Sequence, residues 1–135
     1  YLAASYLDLA WHQGVSDPPT NVDTVEQQAM DHIGLIATVA PRYKSTYIQH
    51  IFSGDDYSAG YYAYIWAEVL DADGFEAFKE NGIFDPATAK AFRENILERG
   101  GSDDPMALYR AFRGRDPEVD ALLRNRGLVN STEAA

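Results

Sequence analysis

The sequence contains no cysteine. That excludes a disulfide framework, a thiolate nucleophile and a thiolate metal ligand, and it points towards a reducing compartment. Basic charge is scarce as well: 11 Lys and Arg stand against 21 Asp and Glu, a formal net charge of −10. Binding to nucleic acid needs a basic footprint for the phosphates, so that class of function is excluded. No apolar run approaches the roughly 18–20 residues of a membrane-spanning helix. The two commonest hydrolase and nucleotide signatures are missing too, since there is neither a G-x-S-x-G elbow nor a phosphate-binding glycine loop. Nor is there an H-E-x-x-H motif. With His12, His32 and His50 widely separated, no metal ligand is assigned within this chain.

What is present is enough for a globular core. Hydrophobic residues make up 46% and aromatics 13% of 135 residues, the size of one domain. The chain opens on the apolar run Y-L-A-A-S-Y-L-D-L-A-W-H, which reads as the middle of a helix. We therefore expect a piece of a longer protein, with apolar surface exposed at Leu2 and Leu9 and a tendency to self-associate. The overall character is that of an acidic bacterial protein of the cytoplasm.

The elements follow from spacing and punctuation. Leu2, Tyr6 and Leu9 mark a first helix that passes into an extended tail at Trp11–His12. Pro18 and Pro19 interrupt a turn-rich stretch from Gly14 to Asn21. Asn21 or Asp23 caps a second helix with Val22, Val25, Ala29, Ile33 and Ile36 on its apolar stripe, ending near Gly34. Residues 47–52 fit a short strand or a helical turn equally well. A helix from about Ser58 to Asp71 comes next, broken by Asp73–Gly74 and resumed to Gly82. Asp85-Pro86, Asp104-Pro105 and Asp116-Pro117 each have the form of an N-cap followed by proline at the first helical position. The first of these helices turns Ala89, Phe92, Ile96 and Leu97 inward. Residues 129–135 read as a disordered tail. The fold class expected is all-α, with at most a short strand near 47–52.

The chemically suggestive stretch is H-I-F-S-G-D-D-Y-S-A-G-Y-Y-A-Y-I-W, residues 50–66, which holds four of the nine tyrosines within eight positions. On one helix, Tyr57, Tyr61 and Tyr64 would share a face at i, i+4 and i+7, with Glu68 one turn further on. Tyr62, Ile65, Trp66 and Val69 would form a separate apolar face. Three phenols on one stripe bring three hydroxyls that need partners when buried. Two readings stand side by side. One is an aromatic core seam. The other is a convergence of His50 with Tyr57 and Tyr64 as donors aimed at a developing oxyanion. His32 is read as a solvated helix residue, and His12 as a packing or hydrogen-bonding one.

The run P-R-Y-K-S-T-Y-I-Q-H-I-F-S-G-D-D-Y-S-A-G-Y-Y-A-Y-I-W-A-E-V-L resembles the C-terminal segment of the thimet oligopeptidase family of zinc metallopeptidases, closest to its bacterial peptidyl-dipeptidase branch. Y-L-D-L-A-W-H, F-R-E-N-I-L-E-R-G-G-S-D-D-P and L-Y-R-A-F-R-G-R-D-P-E-V-D-A-L-L-R-N-R-G-L also fit, so the likeness covers roughly residues 1–128. It implies the C-terminal part of the catalytic domain of a two-lobed, mostly helical peptidase acting on short peptides. One zinc ion would be held by residues outside this chain, so that the segment is inactive without the remainder of the same peptidase. Under the resemblance, Tyr64 is the donor to the scissile carbonyl oxygen and Tyr57 a second tyrosine on a mobile loop. His50 holds the substrate backbone and intermediate, and Tyr61 is a further substrate-facing tyrosine. The family loop is usually shorter and richer in glycine where this sequence has Asp55-Asp56. The competing expectation is a stand-alone helical module that binds peptides without cleaving them.

Overall fold

A computed structural model describes residues 1–13 and 21–129 of the chain. The Gly14–Asn21 connection, apart from Asn21, and the tail, apart from Val129, lie outside the described residues. The architecture is all-α, with no strand among the described residues. It divides into two compact units, residues 1–65 and 66–135.

The first unit contains α1 (Leu2–His12) and α2 (Val22–His32), followed by two short 3₁₀ turns, Gln49–Ile51 and Asp55–Tyr57, and the start of α3 (Ala63–Asn81). Asn21 caps α2: its side-chain oxygen accepts from the backbone N–H of Asp23 at 2.9 Å and of Thr24 at 3.3 Å. Ala3 and Leu7 of α1 pack on Ala29 and Met30 of α2. Ala4 faces a second cluster with Ile48, Ile51 and Tyr61. Burial of side chains such as Leu7, Ile48 and Ile51 stabilises by about 1.5–3 kcal/mol each.

The buried face of α1 is Ala3, Ala4, Ser5, Leu7 and Asp8; Leu2 is exposed, as expected, together with Tyr6, while Leu9 is half-buried and not exposed. Small alanines let α1 approach its neighbours, an advantage that a search for large apolar residues overlooks. Trp11 and His12 are helical and not an extended tail. Of the two readings open for residues 47–52, the structure takes the helical turn, a 3₁₀ turn at Gln49–Ile51.

In the second unit, α3 runs unbroken through Asp73–Gly74, contrary to the expected break. Asp73 is only 1% exposed and serves as an anchor. Arg115 donates to its two carboxylate oxygens at 2.6 and 3.2 Å, and the Tyr109 hydroxyl donates to it as well. Arg113 donates to its backbone carbonyl at 3.1 Å and forks onto Glu80. The Phe112 ring packs over Gly74, where an added Cβ would meet its edge at an ordinary contact distance of 3.8 Å. The dipeptide that looks like a helix breaker is the place where other segments dock.

Asp85 and Asp104 cap α4 (Pro86–Phe92) and α5 (Pro105–Arg113), accepting from Thr88 and Ala107 N–H at 2.7 Å each. Asp116 does not cap. It pairs with Arg110, and α6 (Asp120–Asn125) begins four residues later with Val119 at its N-cap. After α4 the helix widens into a π turn, Arg93–Leu97, and there Leu97 points outward, as does Ala89 within α4. Tyr62 and Trp66 are exposed too, so of the second expected face only Val69 is buried. Phe78 contacts Phe75, Phe92 and Phe112 around an apolar cavity of 650 Å³.

Burial on its own would raise the Asp73 pKa, but hydrogen bonds from Arg115 and Tyr109 overcome that and hold it below the usual carboxylate value. A depressed folded-state pKa adds stability above the unfolded value, about 3.9, and that stability is lost as pH falls through the folded value. Asp73→Asn removes the buried charge that Arg115 and Tyr109 bond, while Arg115 keeps Glu118 at 3.6 Å, and should destabilise the protein by about 1–3 kcal/mol at neutral pH. Urea unfolding across pH checks this: the gap between variant and parent should narrow below about pH 4.

Candidate active site

The site is built on α1, although its chemistry lies elsewhere. Asp8 is fully buried at 0% exposure, and a carboxylate in that position requires partners. It accepts from the backbone N–H of Ala59 at 3.0 Å through one oxygen and of Tyr61 at 2.8 Å through the other. His12 Nδ1, one helical turn further along α1, lies 2.7 Å from the first oxygen and donates to it when protonated there. The side chain thus acts as a cap for a segment 51 residues away in sequence.

The segment it holds is strained. Ala59 has φ +58°, a left-handed conformation that a non-glycine residue keeps only when its surroundings enforce it. At Gly60 an added Cβ would stand 3.0 Å from the Asp56 carbonyl oxygen and 3.3 Å from Tyr57 Cα, so the chain folds too tightly for a side chain. For this reason α3 begins at Ala63 and not at Ser58. Tyr57 sits in a 3₁₀ turn and Tyr61 in the following bend, so the three tyrosines do not share one regular helix face. They converge all the same.

His50 Nε2 lies 2.9 Å from the Tyr64 hydroxyl, which donates to the Tyr57 hydroxyl at 3.2 Å. A phenol has one hydrogen, so with that hydrogen committed to Tyr57 it is the imidazole Nε2–H that donates to Tyr64. Tyr57 then keeps a hydroxyl hydrogen with no protein acceptor in this relay. The rings are close-packed: Tyr57 stacks on Tyr64 at 5.9 Å with a 7° interplanar angle, His50 lies 4.2 Å from Tyr57, and Tyr61 meets Tyr64 edge-on at 5.1 Å. His50 and Tyr64 are exposed and Tyr57 is half-buried, while Tyr61 is 7% exposed. With Tyr43, Tyr47, Ile48 and Gln49, residues His50, Tyr61 and Tyr64 line an open cleft of 290 Å³.

Both phenols with altered acidity are less acidic than usual. Donation to Tyr57 raises the Tyr64 pKa, with desolvation adding to it. Burial pushes Tyr61 up to about 12, helped by its hydrogen bond with Tyr43 and opposed by the positive charge of Arg42. Both therefore stay protonated at neutral pH, as hydrogen-bond donors must.

The structure brings together all four residues singled out from the sequence: His50, Tyr57, Tyr61 and Tyr64. His32 is exposed against Tyr6, 5.7 Å away, and His12 belongs to the Asp8 clamp. Sequence reasoning missed Asp8 and Tyr43. Asp8 left a signal, since it stands at i, i+4 from His12 as the one acidic residue of α1. Among the described residues no group of three His, Asp or Glu could hold a metal ion.

The chain as a whole resembles known proteins. Residues 1–128 match the profile of Peptidase family M3. Oligopeptidase A of Haemophilus influenzae is 58% identical over 81 residues, 60% of this chain and 12% of the relative. Dipeptidyl carboxypeptidase of Salmonella typhimurium is 45% identical over 130 residues, 94% of this chain and 19% of the relative. The protein of the same name from Escherichia coli is 42% identical with the same coverage. The chain thus spans less than a fifth of the length of these relatives.

Two outcomes test the site's construction. Asp8→Asn removes one acceptor and the charge, so hydrogen exchange at the Ala59 and Tyr61 amides should accelerate relative to the amides of α2. Unchanged protection would refute the clamp. Tyr57→Phe removes the acceptor that holds the Tyr64 proton, so the Tyr64 pKa should fall towards the ordinary phenol value of about 10. NMR titration of isotope-labelled tyrosine reads that shift.

Proposed function

The chain belongs to peptidase family M3, and from that premise we propose that it forms the tyrosine- and histidine-bearing wall of the substrate cleft in a zinc-dependent peptidase of short peptides. One observation carries the reading: the His50–Tyr64–Tyr57 hydrogen-bond relay opens onto a cleft in a chain that matches the family along residues 1–128. The zinc ion that membership implies has no ligand set among the described residues, so it would be held by other parts of the protein. Residues 1–135 are then the C-terminal portion of one catalytic domain, whose other portions are the partner of this chain.

The chemistry assigned to this chain is donation. As a peptide carbonyl is attacked, its oxygen gains charge, and a neutral phenol placed beside it forms a bond that strengthens towards the transition state. Tyr64 supplies that hydrogen. To do so it must release Tyr57, and the imidazole of His50 donating to the Tyr64 oxygen makes the phenol a better donor through cooperativity. Tyr57 carries an uncommitted hydroxyl hydrogen and serves as the second substrate contact. Tyr61, buried and bonded to Tyr43, forms the floor of the cleft. Relatives named dipeptidyl carboxypeptidase match 94% of this chain and one named oligopeptidase A matches 60%, and the longer match supports removal of short C-terminal segments as the reading taken here.

The described residues include no helix long and apolar enough to cross a membrane, and a cytoplasmic site of action fits the acidic, cysteine-free composition. The exposed Leu2 and Phe84 are surfaces for the remainder of the protein, or for self-association of the segment when it is separated.

In the full-length enzyme, Tyr64→Phe should lower kcat by roughly 10²–10³ with zinc content unchanged. Tyr61→Phe should cost less. A Tyr64→Phe enzyme with near-normal kcat would remove the assigned role, and a full-length protein that binds peptides without cleaving them would favour the non-catalytic module.

A further inference from the structure

Cations are scarce in this chain and almost all are neutralised. Of the 11 Lys and Arg side chains, every one but Arg42 meets a carboxylate among the described residues. Arg42 has no such partner among the described residues, although Asp and Glu outnumber Lys and Arg in the chain. Its guanidinium instead lies over the ring of Tyr43, 5.2 Å from the centroid, in an exposed position. Tyr43 lines the cleft and meets Tyr61 edge-on at 6.3 Å, and Tyr61 meets Tyr64 at 5.1 Å. The charge of Arg42 reaches the Tyr61 phenol, where it favours the anionic form.

A guanidinium held over an aromatic ring keeps its fork of N–H donors free at the edge, the geometry that suits bidentate capture of a carboxylate. Lys44, two positions along the chain, is already paired with Glu26 at 3.2 Å. We propose that Arg42 is a specificity-determining residue that binds the terminal carboxylate of a peptide lying in the Tyr43–Tyr61–Tyr64 cleft. The proposal rests on the peptidase reading above and deepens it. With the carboxylate held at Arg42 and the scissile carbonyl at Tyr64, the span across the Tyr43 and Tyr61 rings sets how many residues leave with each cut. The enzyme then measures its product from the carboxyl end, and a capped terminus forfeits the anchor.

The test uses full-length holoenzyme and three peptides of one sequence, ending in a free carboxylate, in a carboxamide, or in an amidated glutamate. The parent enzyme should prefer the free acid over the carboxamide by roughly 10- to 100-fold in kcat/KM, the range expected for a hydrogen bond to a charged group. Arg42→Gln should slow the free acid alone and bring the two close to parity, with Arg42→Lys in between. An equal loss on both peptides, or a preference that survives in Arg42→Gln, would overturn the proposal, since a structural role cannot tell an acid from an amide. If the amidated glutamate peptide matches the free acid, the anchor reads a side chain and the terminal assignment falls. Cleavage of none of the three by the parent enzyme would instead remove the peptidase reading itself.

Discussion

A buried carboxylate that must find partners organises the first unit. Asp8, with no exposure, cannot remain charged in a buried helix face without donors, and the donors it has are the Ala59 and Tyr61 N–H groups and the His12 ring. Those bonds hold Ala59 in its left-handed conformation, which brings the chain back sharply at Gly60. The reversal delivers Tyr57 onto Tyr64, within hydrogen-bond reach. The second unit uses the same physics with Asp73, whose guanidinium and phenol donors tie α5 and the following loop onto α3.

The tight turn also explains why the tyrosines form a relay and not a stripe. On a regular helix, residues at i and i+7 lie two turns apart, about 10 Å along the axis. Here the bend shortens that separation until two hydroxyls meet at 3.2 Å, and His50 reaches the same oxygen from the 3₁₀ turn Gln49–Ile51. Exposure is divided accordingly. Tyr61, buried, supports the cluster, while Tyr64 and His50 present theirs to solvent. Arg42 sits at the other end of the ring series with a charge that no acidic side chain of the described residues answers.

Local signals were legible in the sequence and long-range ones were not. The caps of α2, α4 and α5 could be read directly, because an Asn or Asp side chain closes a hydrogen bond within three residues. Asp116-Pro117 has the same form but fails, since Arg110 claims that carboxylate. Asp73–Gly74 reads as a break because its partners, Tyr109 and Arg115, are about forty residues away. In the site, His50, Tyr57, Tyr61 and Tyr64 were legible by chemistry and crowding, while the reason they meet was not. That reason lies in Asp8, 51 residues upstream of Ala59, and helical spacing from Ser58 grouped residues that do meet, but on the wrong geometry.

The central claim is that the Tyr64 hydroxyl exchanges Tyr57 for the oxygen of a reacting peptide carbonyl. A crystal structure of the full-length protein with a phosphinic peptide, whose tetrahedral phosphorus imitates the attacked carbonyl carbon, tests it most directly. The account predicts the Tyr64 hydroxyl within about 2.7–3.1 Å of a phosphinyl oxygen, with the Tyr64–Tyr57 bond broken and His50 still on the Tyr64 oxygen. A bound inhibitor that leaves Tyr64 on Tyr57, with no phenol reaching the phosphinyl group, would contradict it.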